Sequence, residues 1–325
     1  MRVLVLHSDI ATDAPPEEQD TLIAAEAVAE ALERKGHAAS RAAFRQDTLA
    51  AVLEENAPDV VFNLVEGIDG LGQLAPLAQR MLGELGMPFT GVGAAAMALT
   101  NDKPRTKRVL RDAGLATPDW SEPPDWAGIG EGRYIVKSVL EDASTGLDDG
   151  CVVSGADAIQ ARAAQCRARL GGDWFAEKFV EGREFNIAVF ESRGGPRILP
   201  MAEMRFESWP EGKPRIVGYD AKWQEDSTGW AGTVRAFGVE RDEPALAAAI
   251  AGACRRVWSL FALTGFVRVD FRISEAGIPF ILEINANPCI SPDAGFAAAA
   301  AEAGMAYDDL IAAILDAAPA GETVR

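Results

Sequence analysis

The chain has 325 residues, 48% of them hydrophobic and 25% charged, with a formal net charge of −18. That length predicts two or three lobes whose core needs no disulfide or metal staple. The negative balance excludes nucleic acid and anionic membrane surfaces as natural partners, since both call for a basic face.

The opening run MRVLVLHSDI reads as a buried strand. It lacks the length and the small-residue cleavage site of a signal peptide. No stretch approaches the ~18 apolar residues of a membrane span. Residues 21–35 have the apolar spacing of an amphipathic helix, stopped by Gly36. Strand 38–44, helix 48–56, strand 58–64, helix 74–85 and a short strand at MPFTG follow. This βαβα rhythm predicts a parallel, doubly wound sheet. Its ligand edge should lie at the carboxyl ends of the strands, near His7, Ser8, Glu66 and Gly67.

A second lobe is expected to start near Asn101. Residues 103–113 form a helix with Pro104 in its first turn. The Pro- and Gly-rich 118–132 stretch is a loop. Strands follow at 133–139 and 150–154, then helix Ala156–Leu170 and strand 174–179. Val180, Glu181 and Gly182 form a candidate hinge. The third lobe is richer in strands, with antiparallel segments predicted at 184–191, 198–206 and 215–218. A loop over 222–234 and helix Pro244–Leu260 come next. Strands 265–273 and 280–284 make a hairpin turned at Glu275-Ala276-Gly277, and 292–317 is helical. Cys151, Cys166, Cys254 and Cys289 contain no C-x-x-C pair, which predicts reduced thiols in a cytoplasmic protein.

The hairpin carries the chemistry. Side chains alternate faces along a strand, so Glu283 and Asn285 share one face, while Leu282 and Ile284 turn to the core. Asp270 on the paired strand reaches the same face. Three hard oxygen ligands with open positions suit Mg²⁺ beside substrate phosphates. Arg268, two residues before Asp270, either stabilises developing anionic charge or simply neutralises Glu283. Lys137 sits within the apolar strand IVK and needs an anionic partner. The small-residue loop 141–150 can form a flap whose amides face a phosphate. Glu177 and Glu184 bracket the hinge, where a carboxylate can accept hydrogen bonds from ribose hydroxyls. His7, ending the first strand, can line the cleft.

The series NDKPRTK, IVK, EKFVEGREF, RVDF and LEINANP resembles the ATP-grasp ligases, nearest the D-alanine–D-alanine ligases, along nearly the whole chain. The resemblance implies an α/β fold with α+β lobes. An N-terminal lobe (1–101) would precede a central lobe (102–180) carrying the flap 141–150. A C-terminal lobe (181–325) would carry the metal site, the last two lobes clamping the nucleotide. It implies that Lys103 and Lys137 hold ATP phosphates. Glu177, Lys178 and Val180 would line the adenine, Glu184 would hold the ribose, and Lys222 in YDAKW would be a further phosphate-side lysine. Asp270, Glu283 and Asn285 would bind two Mg²⁺ ions, with Mn²⁺ able to substitute. Arg268 would contact the acyl phosphate, and Ser144 is the second serine of the family's flap motif.

Several positions depart from the D-alanine ligases. LHSDIATDAPPEEQD stands where their glycine-rich, acid-containing motif lies, Ala143 replaces the first flap serine, and Trp223 replaces a tyrosine. Cys289 replaces a glycine, and the serine that holds the acceptor carboxylate falls on Ala294. Glu66 stands where the family often has histidine. Glu66, His7, Cys289 and Asp293 are therefore candidate substrate contacts, Glu66 for an amine.

The expected function is ATP-dependent joining of a carboxylate to an amine, between amino acids or small peptides, through an acyl phosphate. D-alanine–D-alanine ligation and a non-catalytic nucleotide-binding protein on the same fold are the rivals. The resemblance also implies a homodimer.

Overall fold

The structure, a computed structural model, describes residues 1–11 and 13–318. Residues 319–325 of the range read as the third lobe lie outside it. Three sheets organise the described chain.

The first sheet is parallel and has the order β2-β1-β3, from β1 (Arg2–His7), β2 (Ala38–Ala43) and β3 (Val60–Leu64). Helices α1 (Pro16–Arg34), α2 (Leu49–Asn56) and α3 (Pro76–Glu84) alternate with these strands. Helix α1 starts five residues earlier than its apolar spacing predicts, because Pro16 is tolerated in a first turn. MPFTG is not a strand: only Phe89 bridges to Val61. A helix not foreseen, α4 (Ala94–Asn101), leads into α5 (Lys103–Asp112). Asp102 caps α5 by accepting a 2.9 Å hydrogen bond from the Arg105 amide, an interaction worth about 1 kcal/mol.

The second sheet has the order β4-β7-β5-β6, with β4 (Trp120–Ser121), β5 (Arg133–Ser138), β6 (Val152–Ser154) and β7 (Trp174–Lys178). Helix α6 (Ala156–Leu170) covers one face through Ile159, Ala163 and Cys166, packed with Val136, Trp174 and Ala176.

The third sheet runs β11-β10-β8-β12-β13, with β9 on the far half of β8. Its strands are β8 (Gly182–Ser192), β9 (Gly195–Ile198), β10 (Ala202–Phe206), β11 (Thr233–Ala236), β12 (Phe266–Ser274) and β13 (Pro279–Asn285). The predicted 198–206 strand is two strands, broken where Pro200 cannot donate to the ladder. Residues 215–218 are not a strand; the Ile216 amide closes a turn onto the Pro214 carbonyl at 3.0 Å. The expected 222–234 loop contains the end of α7 (Tyr219–Trp223), then α8 (Thr228–Gly232), capped by Ser227, and the start of β11. A short α9 (Val239–Asp242) precedes α10 (Pro244–Leu260). The C-terminal helical stretch divides at Gly304 into α11 (Gly295–Glu302) and α12 (Tyr307–Asp316).

One face of the third sheet is sealed by α10, α4 and α5, through Val257, Ile250, Met97 and Leu110 on Val267, Val269 and Ile284. A second core joins the first sheet to the third: Val3, Val5, Phe62 and residues of α1 pack with Phe190, Phe266, Phe296 and Ile311. Backbones cross at Gly265, where a Cβ would lie 2.4 Å from the Gly91 Cα. The other face of the third sheet is left for a cleft.

Candidate active site

A cavity of about 780 Å³ lies between that face, the second sheet, and the carboxyl ends of β1 and β3. Strand register explains its floor. Residues paired directly across neighbouring strands share a face. Asn186, Asp270 and Glu283 form one row, Ala188, Arg268 and Asn285 the next, and Arg235, Met204, Glu184 and Arg272 a third. All of them line the cavity.

The hairpin therefore brings Asp270, Glu283 and Asn285 together as expected, with one correction. A β-bulge follows the Asp270–Glu283 pair, so that Phe271 faces Ile281. Ile281 and Ile284 are buried in the core, while Leu282 lines the cavity rather than packing beneath it. The bulge resets the alternation and lets two consecutive residues meet the ligand space. Arg268 bonds directly to Asp270 and acts on Glu283 only through space: its Nε and Nη2 donate to the two Asp270 oxygens at 2.8 Å each. Burial raises the Glu283 carboxyl, but Lys103, Lys137, Lys222 and Arg268 outweigh it and bring it down to about 2. Glu283 is thus an anion held in a ring of cations. Among the described residues no cluster of three His, Cys, Asp or Glu side chains forms a metal site. The two acids and one amide nevertheless offer the hard oxygens that Mg²⁺ takes, with positions left for phosphate.

Lys137 finds its predicted anionic partner in Glu177, at 3.0 Å. The other oxygen of Glu177 lies against Lys107 as an ion pair without hydrogen-bond alignment. Lys107 is fully buried and also donates to Thr117 Oγ1 at 2.9 Å. Burial and then its two lysines act on Glu177 in opposite senses, and the lysines win, holding it below the usual carboxylate range. Its carboxylate is occupied and supports the lysines instead of facing a ribose. Val180 lines the cleft, joined by Phe179. Lys178 does not: it is exposed, donates to the Glu131 carbonyl at 3.0 Å and lies over Tyr134. Glu184 lines the cavity and pairs with Arg272 at 3.1 Å. Burial raises its pKa against the pull of Arg272.

Lys103 stands behind the lining, its ammonium bonded to the Glu141 carbonyl at 2.9 Å and to Asp142 at 2.7 Å. It anchors the 141–150 loop, which is held from both sides. Glu141 accepts from the Gly72 amide at 2.9 Å. Ser144 donates to the Val217 carbonyl at 2.9 Å, and the Trp223 indole donates to the Ala143 carbonyl at 3.2 Å. Ala143 and Ser144 both have positive φ, 54° and 62°, an uncommon conformation for residues with a side chain.

At the other end of the cleft, the Ser8 hydroxyl accepts the Glu66 and Gly67 amides at 3.1 and 3.3 Å. The Glu66 side chain is exposed on the wall of the cavity. The surrounding cleft walls, then Asp20 and Asp142, with Arg268 opposing, raise its carboxyl above the usual range, and contact with solvent limits the rise. Asp20 of α1, not foreseen, accepts from Cys289 Sγ at 2.8 Å and Ser291 Oγ at 3.0 Å. It thereby ties the loop after β13 to the first lobe, as does the Asn287 bond to the Val65 carbonyl at 3.1 Å. Cys289 and Asp293 line the cavity. His7 does not. Its neighbours are Leu22, Ile23, Ala25, Glu26 and Arg41 on the opposite side of β1.

Residues 133–316 match the family model described as the D-ala D-ala ligase C-terminus. A D-alanine–D-alanine ligase of Chromohalobacter salexigens is 33% identical over 307 residues, covering 92% of this chain and 90% of that protein. In fold, the chain is similar to the D-alanine–D-alanine ligase of Bacillus anthracis complexed with ATP, at a TM-score of 0.75 and 18% identity. That match covers 98% of this chain and 97% of the other. A D-Ala:D-Ser ligase of Enterococcus faecalis gives a TM-score of 0.72 at 15% identity, covering 97% and 98%.

Proposed function

The chain belongs to the D-alanine–D-alanine ligase family of ATP-grasp, ATP-dependent carbon–nitrogen ligases, and from that premise we propose which of its groups do the work and on what. The carrying observation is the sheet face that sets Asp270, Glu283, Asn285, Arg268 and Glu184 around one cavity with Lys137 and Lys222. In this reading a substrate carboxylate takes the γ-phosphoryl group of ATP and becomes an acyl phosphate, releasing ADP. A second substrate's amine then attacks the acyl carbon, inorganic phosphate leaves, and an amide remains. Such chemistry rests on positioning and charge stabilisation.

Asp270, Glu283 and Asn285 would hold two Mg²⁺, or Mn²⁺, whose charge offsets that of the phosphates when bound. Lys103, Lys137 and Lys222 add positive charge at the phosphate end, and Glu184 faces the ribose. Arg268 stabilises the anionic acyl centre, with Ser144 holding the 141–150 loop over it. Glu66, with Asp20, suits a substrate ammonium. The substrates are amino acids or small amino compounds. D-alanine, the substrate named for the relatives, is the first to try. Ala143, Ala294 and Cys289 alter the pocket and favour a different pair. A purely nucleotide-binding role would use the hairpin acids but leave Arg268, placed at the acyl centre, without use.

We further propose that the lobes divide at 1–101, 102–180 and 181–325, and that the protein works as a cytoplasmic homodimer. No helix among the described residues is long and apolar enough to cross a membrane. The test is ADP release across D- and L-amino acids, alone and in pairs. Stimulation by one pair supports the reading, and ADP release indifferent to every amino acid overturns it.

A further inference from the structure

Most cations around the cavity already have acid partners. Lys137 is paired with Glu177, Arg268 with Asp270, Arg272 with Glu184, and Lys103 behind them with Asp142. Two cavity-lining cations, Lys222 and Arg235, make no hydrogen bond or ion pair among the described residues. Their surroundings differ. The acids that act on Lys222 are Glu283, Asp270 and Glu184, which belong to the proposed metal and ribose end. The acid that acts on Arg235 is Asp293, and it forms no ion pair with it. Arg235 sits on β11, half-buried, with its guanidinium against Gly295 at the start of α11. A Cβ on Gly295 would come within 3.4 Å of Nη2 and 3.6 Å of Nε, so a glycine leaves the guanidinium its room.

A half-buried guanidinium without an acid calls for an anion, and its planar fork suits a carboxylate. Two anions enter a ligase cleft besides the reacting carboxylate: the nucleotide phosphates, and the carboxylate of an amino acid that attacks through its amine. The phosphates already have the hairpin, Lys137 and Lys222. The other two guanidiniums that line the cavity are engaged, Arg268 at both oxygens of Asp270 and Arg272 by Glu184.

We propose that Arg235 binds the free carboxylate of the acceptor amino acid and so sets the requirement that the acceptor be an acid rather than an amide or amine. The inference rests on the ligase reading above and deepens it by naming the acceptor class. Acceptor specificity is then decided jointly by β11 and the loop preceding α11, two segments far apart in sequence that meet only in the folded cleft.

The test uses the full chain and the R235A, R235Q and R235K variants, with each D- and L-amino acid and its primary amide offered as acceptor to a fixed amino-acid donor. ADP release gives kcat and KM for acceptor and for ATP. Wild type should prefer the free acid to the amide. R235A and R235Q should raise acceptor KM about ten- to a hundredfold, the worth of a charge-assisted hydrogen-bond pair. They should leave KM for ATP unchanged and erase the acid-over-amide preference, which R235K should partly restore. Should R235A fold poorly by thermal melting, R235Q and R235K carry the same comparison. A rise in KM for ATP with acceptor KM unchanged overturns the assignment, as does an intact acid preference in R235Q. Wild type that releases ADP without responding to any amino acid overturns the ligase reading itself, which distinguishes the two failures.

Discussion

Arg268 and Asp270, two residues apart on β12, are joined by a pair of parallel 2.8 Å hydrogen bonds that use both carboxylate oxygens. The carboxylate proposed to hold a metal is thus shared with the arginine proposed to steady the acyl centre. Opposite Asp270 across the strand pair stands Glu283, whose charge the surrounding cations secure.

Glu283→Gln should abolish amino-acid-dependent ADP release while the protein stays folded. The amide keeps the shape but loses the anion that Lys103, Lys137, Lys222 and Arg268 surround. EDTA should silence wild type equally, and Mg²⁺ should restore it. Near-normal turnover of the variant would remove the metal assignment.

Glu66 should impose a pH dependence on stability. The cleft walls, Asp20 and Asp142 raise its carboxyl above the ordinary value of 4.5, so over part of the range the folded state holds a proton that the unfolded state has released. Stability attributable to this group therefore falls as pH rises above about 4.5, by an amount that the exposure of Glu66 to solvent keeps small. Urea melts of wild type and Glu66→Gln above that pH should show a shallower decline for the variant. Parallel curves would mean that Glu66 titrates normally.

Lys107→Met should destabilise the fold by about 3 kcal/mol, because it strips a fully buried carboxylate of one of its two cations. Lys178→Met, one residue from the same carboxylate but exposed, should stay within about 0.5 kcal/mol. Denaturant midpoints compare them directly. Equal losses would show that the Glu177 network is not what Lys107 serves.

Gly182→Ala should be severe despite the small change. Gly182 has φ +136°, and a Cβ there would lie 2.0 Å from the Ile273 carbonyl oxygen, which is backbone and cannot turn aside. A loss of about 3 kcal/mol or more is expected. A melting temperature equal to wild type would show that β8 and β12 can part freely at this point.

What the sequence disclosed and withheld follows from strand geometry. The β12–β13 hairpin was legible because apolar residues flank the acids in period two on both strands. The bulge at Leu282 was not, since it exists only in the register between them. Parity along a strand could have removed two candidates. Ser8 meets the cavity, so His7 beside it turns away; Glu177 points inward, so Lys178 points out. Lys107 was also readable, one helical turn after Lys103 on the buried side of α5. Arg235 was not, because β11 hides in a stretch whose composition reads as loop, and its place beside Gly295 depends on segments sixty residues apart. The same holds for Asp20, which meets Cys289 and Ser291 only through the packing of α1 on the third sheet.

The most direct measurement follows ATP consumption and amide formation together, in one reaction containing the full chain, Mg²⁺, ATP and the best amino-acid pair. Coupled ligation predicts one ADP, one inorganic phosphate and one new amide per turnover, all lost together in Glu283→Gln. ATP consumed with no amide formed, or an amide formed with ATP untouched, would contradict it.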